Sequence, residues 1–548
     1  MSELFARVRN MGRAGGQETS SLATLLATVL LGVAGMIGFV ARLMPLRDLG
    51  GTLFWQHMSE DGYLMQTVAR NMAIGLGMST AEGSIPTNGV QPLATLAFAA
   101  LHAVAGGSRV LGIALVTIFS TLVALATAWC LYRLMLRLLI GLPHGAQIAI
   151  AAAALWLVGP GVFKHSVNGL ETGVYHLFIV LALGYYLKIT QEPAGVLSTM
   201  QRLTLGGLLG LTFLARNDAV FLIAALLLVH TLAGAAGAGG GRARRAVDSL
   251  VAGAASLVVA SPWLIHNHRL FGSIVPISGT AQSHTAALGS NLGQVPANLI
   301  NAMLLFVPIP SGWEARGVVQ AACVAGVLLV AALAVWRLWP VSLAMRRWMG
   351  VALLFSACLC GYYGVFFGAP WFIPRYLSAL SPLLWPLAVA AIVQAVWVLA
   401  DTTAQAKLVL TTALFALVVF GSAMAMRAAP GGTALQHRQV VQWVDEHVTP
   451  EQWVGAVQTG TLGFFHDRTI NLDGKVNPVA LRLMLDGRDI RSYVAGSKID
   501  YIVDWDGVKD WIEVAPPKDF SDSFALRFSD PQRNLMVIER KSLGAGSR

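Results

Sequence analysis

The feature that most constrains this chain is a succession of long apolar stretches without a single charge, among them Leu22 to Val40, Val110 to Leu131 and Val318 to Val335. In hydrocarbon every backbone N–H and C=O must find its partner within the spanning element, and a helix needs about 20 residues to cross. Stretches of this length and frequency predict a polytopic α-helical membrane protein. Composition agrees, because charged residues make up 12% of the 548 and hydrophobic ones 55%, whereas soluble domains carry about 25% charged residues. The formal charge of +10 does not point to nucleic acid. In such a chain lysine and arginine gather on cytoplasmic loops.

The basic residues set the topology. Arg7, Arg9 and Arg13 precede Leu22 to Val40, which reads as an uncleaved first span with its N-terminus inside. Residues 42–107 then form the first external loop, in which Leu93 to Val104, short and broken by His102, is an interfacial or half-inserted helix. Further spans are expected at Val110 to Leu131, Ile148 to Val162, Val174 to Leu187, Leu250 to Ile265, Val318 to Val335, Val351 to Phe367, Leu377 to Leu399 and Leu408 to Ala425. The apolar run from Leu203 to Leu232 holds Arg216-Asn217-Asp218 at its middle and reads as two spans meeting at an external corner. That gives about eleven transmembrane helices and puts Arg133, Arg137, Arg242, Arg244, Arg245, Arg337, Arg346 and Arg347 inside; Arg42, Arg47 and Arg427 fall just outside. Ala233 to Gly241 is expected as a flexible cytoplasmic loop, and a long external loop from about Pro262 to Trp313.

The chain thus divides into a transmembrane domain, 1–429, and an extracytoplasmic α/β domain, 430–548, where charged residues return to soluble levels. A helix is expected at Gln436 to His447, with strands near Val454, Thr469 to Leu472, Tyr501 to Val503, Phe524 to Phe528 and Leu535 to Glu539. Four cysteines (Cys130, Cys323, Cys358, Cys360) all sit in apolar stretches, which is the pattern of packing residues.

On this topology the unusual polar groups converge on one side of the membrane: Glu60, Asp61, Asn88, Lys164, His165, Glu171, Arg216, Asp218, His266, His268, Arg269 and Arg375. Asp61 fits two compatible roles. It can be a general base that takes a proton from an acceptor hydroxyl, and Ser59 or Asp61 can cap the helix that starts near Tyr63. Glu60 is its neighbour, as an acceptor or metal contact or as a solvated loop acid. Arg375 and Arg216 are suited to holding a phosphate, since a guanidinium pairs two oxygens and stays charged, with Lys164 as a possible assistant. Tyr63, Asn88, His165, Glu171, Asp218 and His266 are the further candidates for binding donor or acceptor. No cofactor is demanded. A divalent cation on the acidic pair is open, although no spacing requires it, and His266 with His268 has the spacing of a strand-borne metal pair without a third ligand.

Several short motifs carry a family resemblance. Glu60-Asp61-Gly62-Tyr63 leads into Ala69-Arg70-Asn71, Thr87-Asn88-Gly89 precedes an apolar run, and Asn168-Gly169-Leu170-Glu171-Thr172 sits at a span mouth. With Ala215-Arg216-Asn217-Asp218 and Arg375-Tyr376-Leu377 this set resembles the GT-C superfamily of polyprenyl-phosphate-sugar transferases. Gly463-Phe464-Phe465 and Asn471 to Asn477 are similar to stretches in the soluble domain of its bacterial arabinofuranosyltransferase-like branch, although the acidic pair is Glu-Asp where that branch more often has Asp-Asp.

The resemblance implies a GT-C fold in a bacterial cytoplasmic membrane and an acidic catalytic base in the first external loop, carried over onto Asp61. It further implies transfer of a sugar, arabinofuranose among the options, from a polyprenyl-phosphate donor to a hydroxyl of a glycan, lipid or protein at the outer face, with inversion. The rival readings are an O-antigen ligase or polymerase acting on diphosphate-linked glycans, and a transporter or flippase. Against the latter stand the missing internal repeat and the polar tail.

Overall fold

A computed structural model describes residues 19–541, except 191–196, 233–240, 285, 308, 310–311, 315 and, between 400 and 436, all but 413, 416–417, 419–421 and 423–424. The chain is a multi-pass helical membrane protein with a C-terminal sheet domain. Among the described residues six helices are long and apolar enough to cross a membrane, or seven if the bent pair Gly145–Val158 and Pro160–Ser166 is one span. The expected first span is the helix Thr19–Leu43, and the pair expected around Arg216 is Thr199–Ala215 followed by Ala219–Leu232. These two pack as shorter helices, so the long apolar run is indeed broken where its charges lie. The expected last span, Leu408 to Ala425, and the Ala233 to Gly241 loop fall largely outside the described residues.

Several helices run past their expected bounds, and one of these differences bears on a candidate site. The helix expected to end at Ile265 runs from Arg242 to Phe271 with Pro262 inside it. Proline cannot donate to the carbonyl four residues back. Here Ser261 Oγ takes that place, donating to the Val258 carbonyl at 2.8 Å, and the helix continues to Gly272, whose φ of +73° ends it. His266 and His268 are therefore two apart on a helix, where side chains point to different faces, and the strand-like metal pair is not formed.

Close helix packing uses small residues. A Cβ on Gly206 would come within 2.5 Å of the Ala252 carbonyl, and one on Gly210 within 2.6 Å of Val259. This four-residue spacing lets Thr199–Ala215 lie against Arg242–Phe271 with backbones almost touching.

The C-terminal domain is a five-stranded sheet preceded by the helix Arg438–His447. Its strands are β1 (Val454–Ala456), β2 (Thr469–Asn471), β3 (Tyr501–Asp504), β4 (Phe524–Asp530) and β5 (Leu535–Arg540) in the order β2-β1-β3-β5-β4. β1 is parallel to both β2 and β3, and the last three strands are antiparallel. Parallel neighbours need a crossover, and the one between β1 and β2 contains the short helix Gly460–Phe465. That crossover docks the sheet domain on the membrane helices. Phe464 belongs to the main core of the helical domain, with its ring 5.1 Å from Tyr63 and 6.3 Å from Trp55. Arg70 and Arg109 both reach Asp467, at 2.9 and 2.8 Å.

Candidate active site

The first-loop helix Glu60–Ala73 owes its start to Ser59, whose side chain accepts from the Gly62 N–H at 3.0 Å. Ser59 is the N-cap, so Asp61 in the first turn is not consumed by capping and its carboxylate faces elsewhere. The helix is pinned to the Asn168–Glu171 loop. Both Ser59 N and Ser59 Oγ donate to the Asn168 carbonyl, at 3.0 and 3.1 Å, and Gln66 Nε2 donates to the Gly169 carbonyl at 2.9 Å. Gly62 permits this approach because a Cβ there would overlap the Asn168 carbonyl. Two motifs a hundred residues apart are thereby one rigid unit.

Asp61 lies on the wall of a cavity of about 400 Å³, lined also by Glu171, Arg216, Asp218, Arg375 and Lys475. Its Oδ2 accepts from Arg375 Nη1 at 2.8 Å. Burial alone pushes the Asp61 carboxyl up, but the charges of Arg375 and Lys475 and the hydrogen bond from Arg375 outweigh it and hold the group below the usual carboxylate range. Arg375 sits on the short helix Ile373–Leu377, with Nη2 donating to Tyr376 Oη at 3.2 Å. Its guanidinium covers the rings of Phe372 and Tyr376, at 4.8 and 5.0 Å. Its Nε is buried and without a partner among the described residues.

From Arg375 the polar set continues through aromatic contact. Tyr376 stacks on Tyr363 with centroids 4.4 Å apart and planes at 6°, and Tyr363 donates to Asp218 Oδ2 at 2.7 Å. Arg216 reaches the same oxygen at 3.2 Å, lies 3.7 Å from Glu171, and places its guanidinium 4.4 Å over Tyr376. Burial at 2% exposure makes these partners necessary, since a lone buried cation is costly. Arg216 Nη1 is also without a partner among the described residues.

The other expected site residues lie around this centre rather than in it. Glu60 points away from the cavity into the sheet domain, accepting from Gly460 N at 2.6 Å, from Thr461 N at 3.1 Å and from the Thr461 hydroxyl. Tyr63 donates to the Trp55 carbonyl at 2.7 Å. Asn88 donates to Asn267 at 3.1 Å and accepts from Ile277 N at 3.1 Å, which ties its loop to the segment after the Pro262 helix. His165 is half-buried beside an exposed Lys164, and neither lines the cavity. His266 stacks on Trp263, 5.5 Å away, and is likewise outside the lining. Among the described residues no group of three or more His, Cys, Asp or Glu is arranged to hold a metal. Lys475 and Tyr363 are two polar residues of the cavity wall that are not among the expected site residues. Lys475 lies within the Asn471 to Asn477 stretch, which enters only as part of a resemblance and is given no role there, and Tyr363 sits inside an apolar span with no local motif.

The same arrangement of helices occurs in solved membrane enzymes. ArnT from Cupriavidus metallidurans bound to undecaprenyl phosphate matches over 96% of this chain and 100% of its own, with a TM-score of 0.59 and 14% identity. The oligosaccharyltransferase of Archaeoglobus fulgidus, in complex with Zn and sulfate, matches over 93% of this chain and 73% of its own, with a TM-score of 0.56 and 14% identity. The chain has the GT-C fold. The similarity also spans AglB of Archaeoglobus fulgidus in complex with an inhibitory peptide and a dolichol-phosphate, at a TM-score of 0.56 and 12% identity over 93% and 74% of the two chains. At such identities the GT-C likeness is one of architecture. Residues 426–536 match a family described as a domain of unknown function, DUF8728. No curated protein matches the chain.

Proposed function

We propose that this protein is a glycosyltransferase that moves a sugar from a polyprenyl-phosphate donor to an acceptor hydroxyl. The observation that carries the reading is the 2.8 Å pair of Asp61 and Arg375 on the wall of the cavity, a carboxylate and a phosphate-binding group side by side. The acceptor oxygen attacks C1 of the sugar while its proton passes to Asp61. The bond from C1 to the phosphate oxygen breaks, and its electron pair leaves with the lipid phosphate. A single base and a departing anion suffice for direct displacement with inversion.

Arg375 can serve both ends, because Nη1 is spent on Asp61 while the buried Nε is left for a phosphate oxygen. Arg216, with its own unpartnered Nη1, is the second donor-phosphate candidate, and Glu171 and Asp218 border the space for the sugar and acceptor. Asn88, Tyr63 and Glu60 act in this reading by holding the walls. The cavity is lined from the helix ends opposite those bearing Arg202, Arg245 and Arg347, so the positive-inside rule supports a site at the extracytoplasmic face, with residues 430–548 on that side. Following the family resemblance, arabinofuranose is the first donor sugar to test, on glycan, lipid or protein acceptors of a bacterial envelope.

Purified protein in lipid nanodiscs, given polyprenyl-monophosphate or polyprenyl-diphosphate sugars, tests the reading by mass spectrometry of the products. Turnover of the monophosphate donor is expected. Turnover confined to the diphosphate donor contradicts it in favour of a ligase or polymerase.

A further inference from the structure

We infer that Lys475, supplied by the C-terminal domain, is a ligand of the donor's phosphate, so that the site is complete only while that domain is docked. This inference rests on the polyprenyl-phosphate reading.

Lys475 follows β2 in a loop that its own side chains hold rigid. Gly474 N donates to Asn471 Oδ1 at 3.1 Å, Lys475 N to Asp473 Oδ1 at 3.0 Å, and Asn477 Nδ2 to the Asn471 carbonyl at 2.8 Å. Gly474 turns the chain at a φ of +79°, a conformation that favours glycine. The loop is seated on the membrane domain at Gly89, where any Cβ would overlap the Lys475 carbonyl. A flexible surface lysine has no such scaffold.

Lys475 lines the cavity together with Asp61, whose charge it feels, and its ammonium is 5.9 Å from the centre of the Phe372 ring that Arg375 covers from 4.8 Å. Two cations thus share one aromatic wall next to the base. Burial pulls the Lys475 ammonium down, but Asp473 and Asp61 outweigh it and keep the group charged. Its carboxylate partner, Asp473 Oδ2 at 2.9 Å, accepts one of the three N–H bonds an ammonium can donate.

The chemistry needs a second cation at this place. A donor phosphodiester carries one negative charge, and the departing monoester carries close to two. That extra charge develops as the C1–O bond breaks, and stabilisation must be aimed at it. Arg375 is already divided between Asp61 and the incoming phosphate, so Lys475 is the group beside Asp61 that can take up the growing charge.

The test measures binding of undecaprenyl monophosphate to full-length protein in nanodiscs for wild type, Lys475→Met, Lys475→Arg and Asp473→Asn, with thermal unfolding of each. Lys475→Met is expected to weaken binding about tenfold or more, Lys475→Arg to recover part of it, and Asp473→Asn to match or exceed wild type, because the competing carboxylate is gone. Equal binding by wild type and Lys475→Met overturns the role of Lys475. So does an equal loss of binding in Lys475→Met and Asp473→Asn, which marks the pair as a structural clip. A wild type that does not bind the lipid phosphate overturns the donor reading itself.

Discussion

In the proposed reaction the chemistry turns on Asp61, whose environment sets its protonation. Arg375 and Lys475 together outweigh burial and keep its carboxyl below the usual range, so the group stays ionised to lower pH than a free aspartate at about 3.9. The kcat/KM of wild-type protein should therefore stay level as pH falls from 7 to about 5. Arg375→Gln removes the hydrogen bond and the larger attraction while burial persists, so its acid limb should move upward; a pH profile of both proteins checks this. Asp61 was legible in sequence because two adjacent acids beside a membrane are expensive to keep. The separate duties of that pair were not. Glu60 finds its partners at Gly460 and Thr461, 400 and 401 residues away, and nothing local distinguishes it from its neighbour.

At the scale of elements, the first-loop helix is positioned by contacts a methyl group would spoil. Gly62→Ala drives a Cβ into the Asn168 carbonyl, whereas Gly161 has nothing within 4 Å of its Cβ position. Gly62→Ala is expected to cost about 1–3 kcal/mol and to lower kcat, with Gly161→Ala close to wild type in activity and thermal unfolding. Phe464, 1% exposed and part of the helical domain's core, fastens the sheet domain. Phe464→Ala should cost about 3–5 kcal/mol, seen as faster proteolysis of the C-terminal domain.

The sheet domain also carries a pH signature of its own. Burial lifts Asp504, at the end of β3, from 3.8 to about 6, although three backbone N–H groups and His437 oppose the rise. The folded state therefore binds this proton more tightly than the unfolded chain. Stability from this group is fully present below about pH 4, declines as pH rises to about 6, and is flat above. Thermal unfolding of wild type should show that decline relative to Asp504→Asn, which does not titrate.

For the molecule as a whole, the spans were legible because hydrocarbon admits few structures and the basic residues mark one side. The strands of the last domain were legible from alternation and β-branched runs at Tyr501 to Val503 and Leu535 to Glu539. The Pro262 helix was not, because a serine hydroxyl replaced the bond that proline removes. Nor was the docking of the two domains, which depends on Phe464, Asp467, Gly89 and Lys475 meeting partners hundreds of residues away. The cavity is lined from both domains, Lys475 from one and Asp61 and Arg375 from the other, so the proposed site is one unit.

Asp61 is proposed as the base of a glycosyl transfer. The direct measurement is transferase activity of Asp61→Asn against wild type, in membranes supplied with polyprenyl-monophosphate sugar, with equal protein levels confirmed. A loss of about 10²–10⁴-fold is expected, with lipid-phosphate binding retained. Full activity in Asp61→Asn would contradict it.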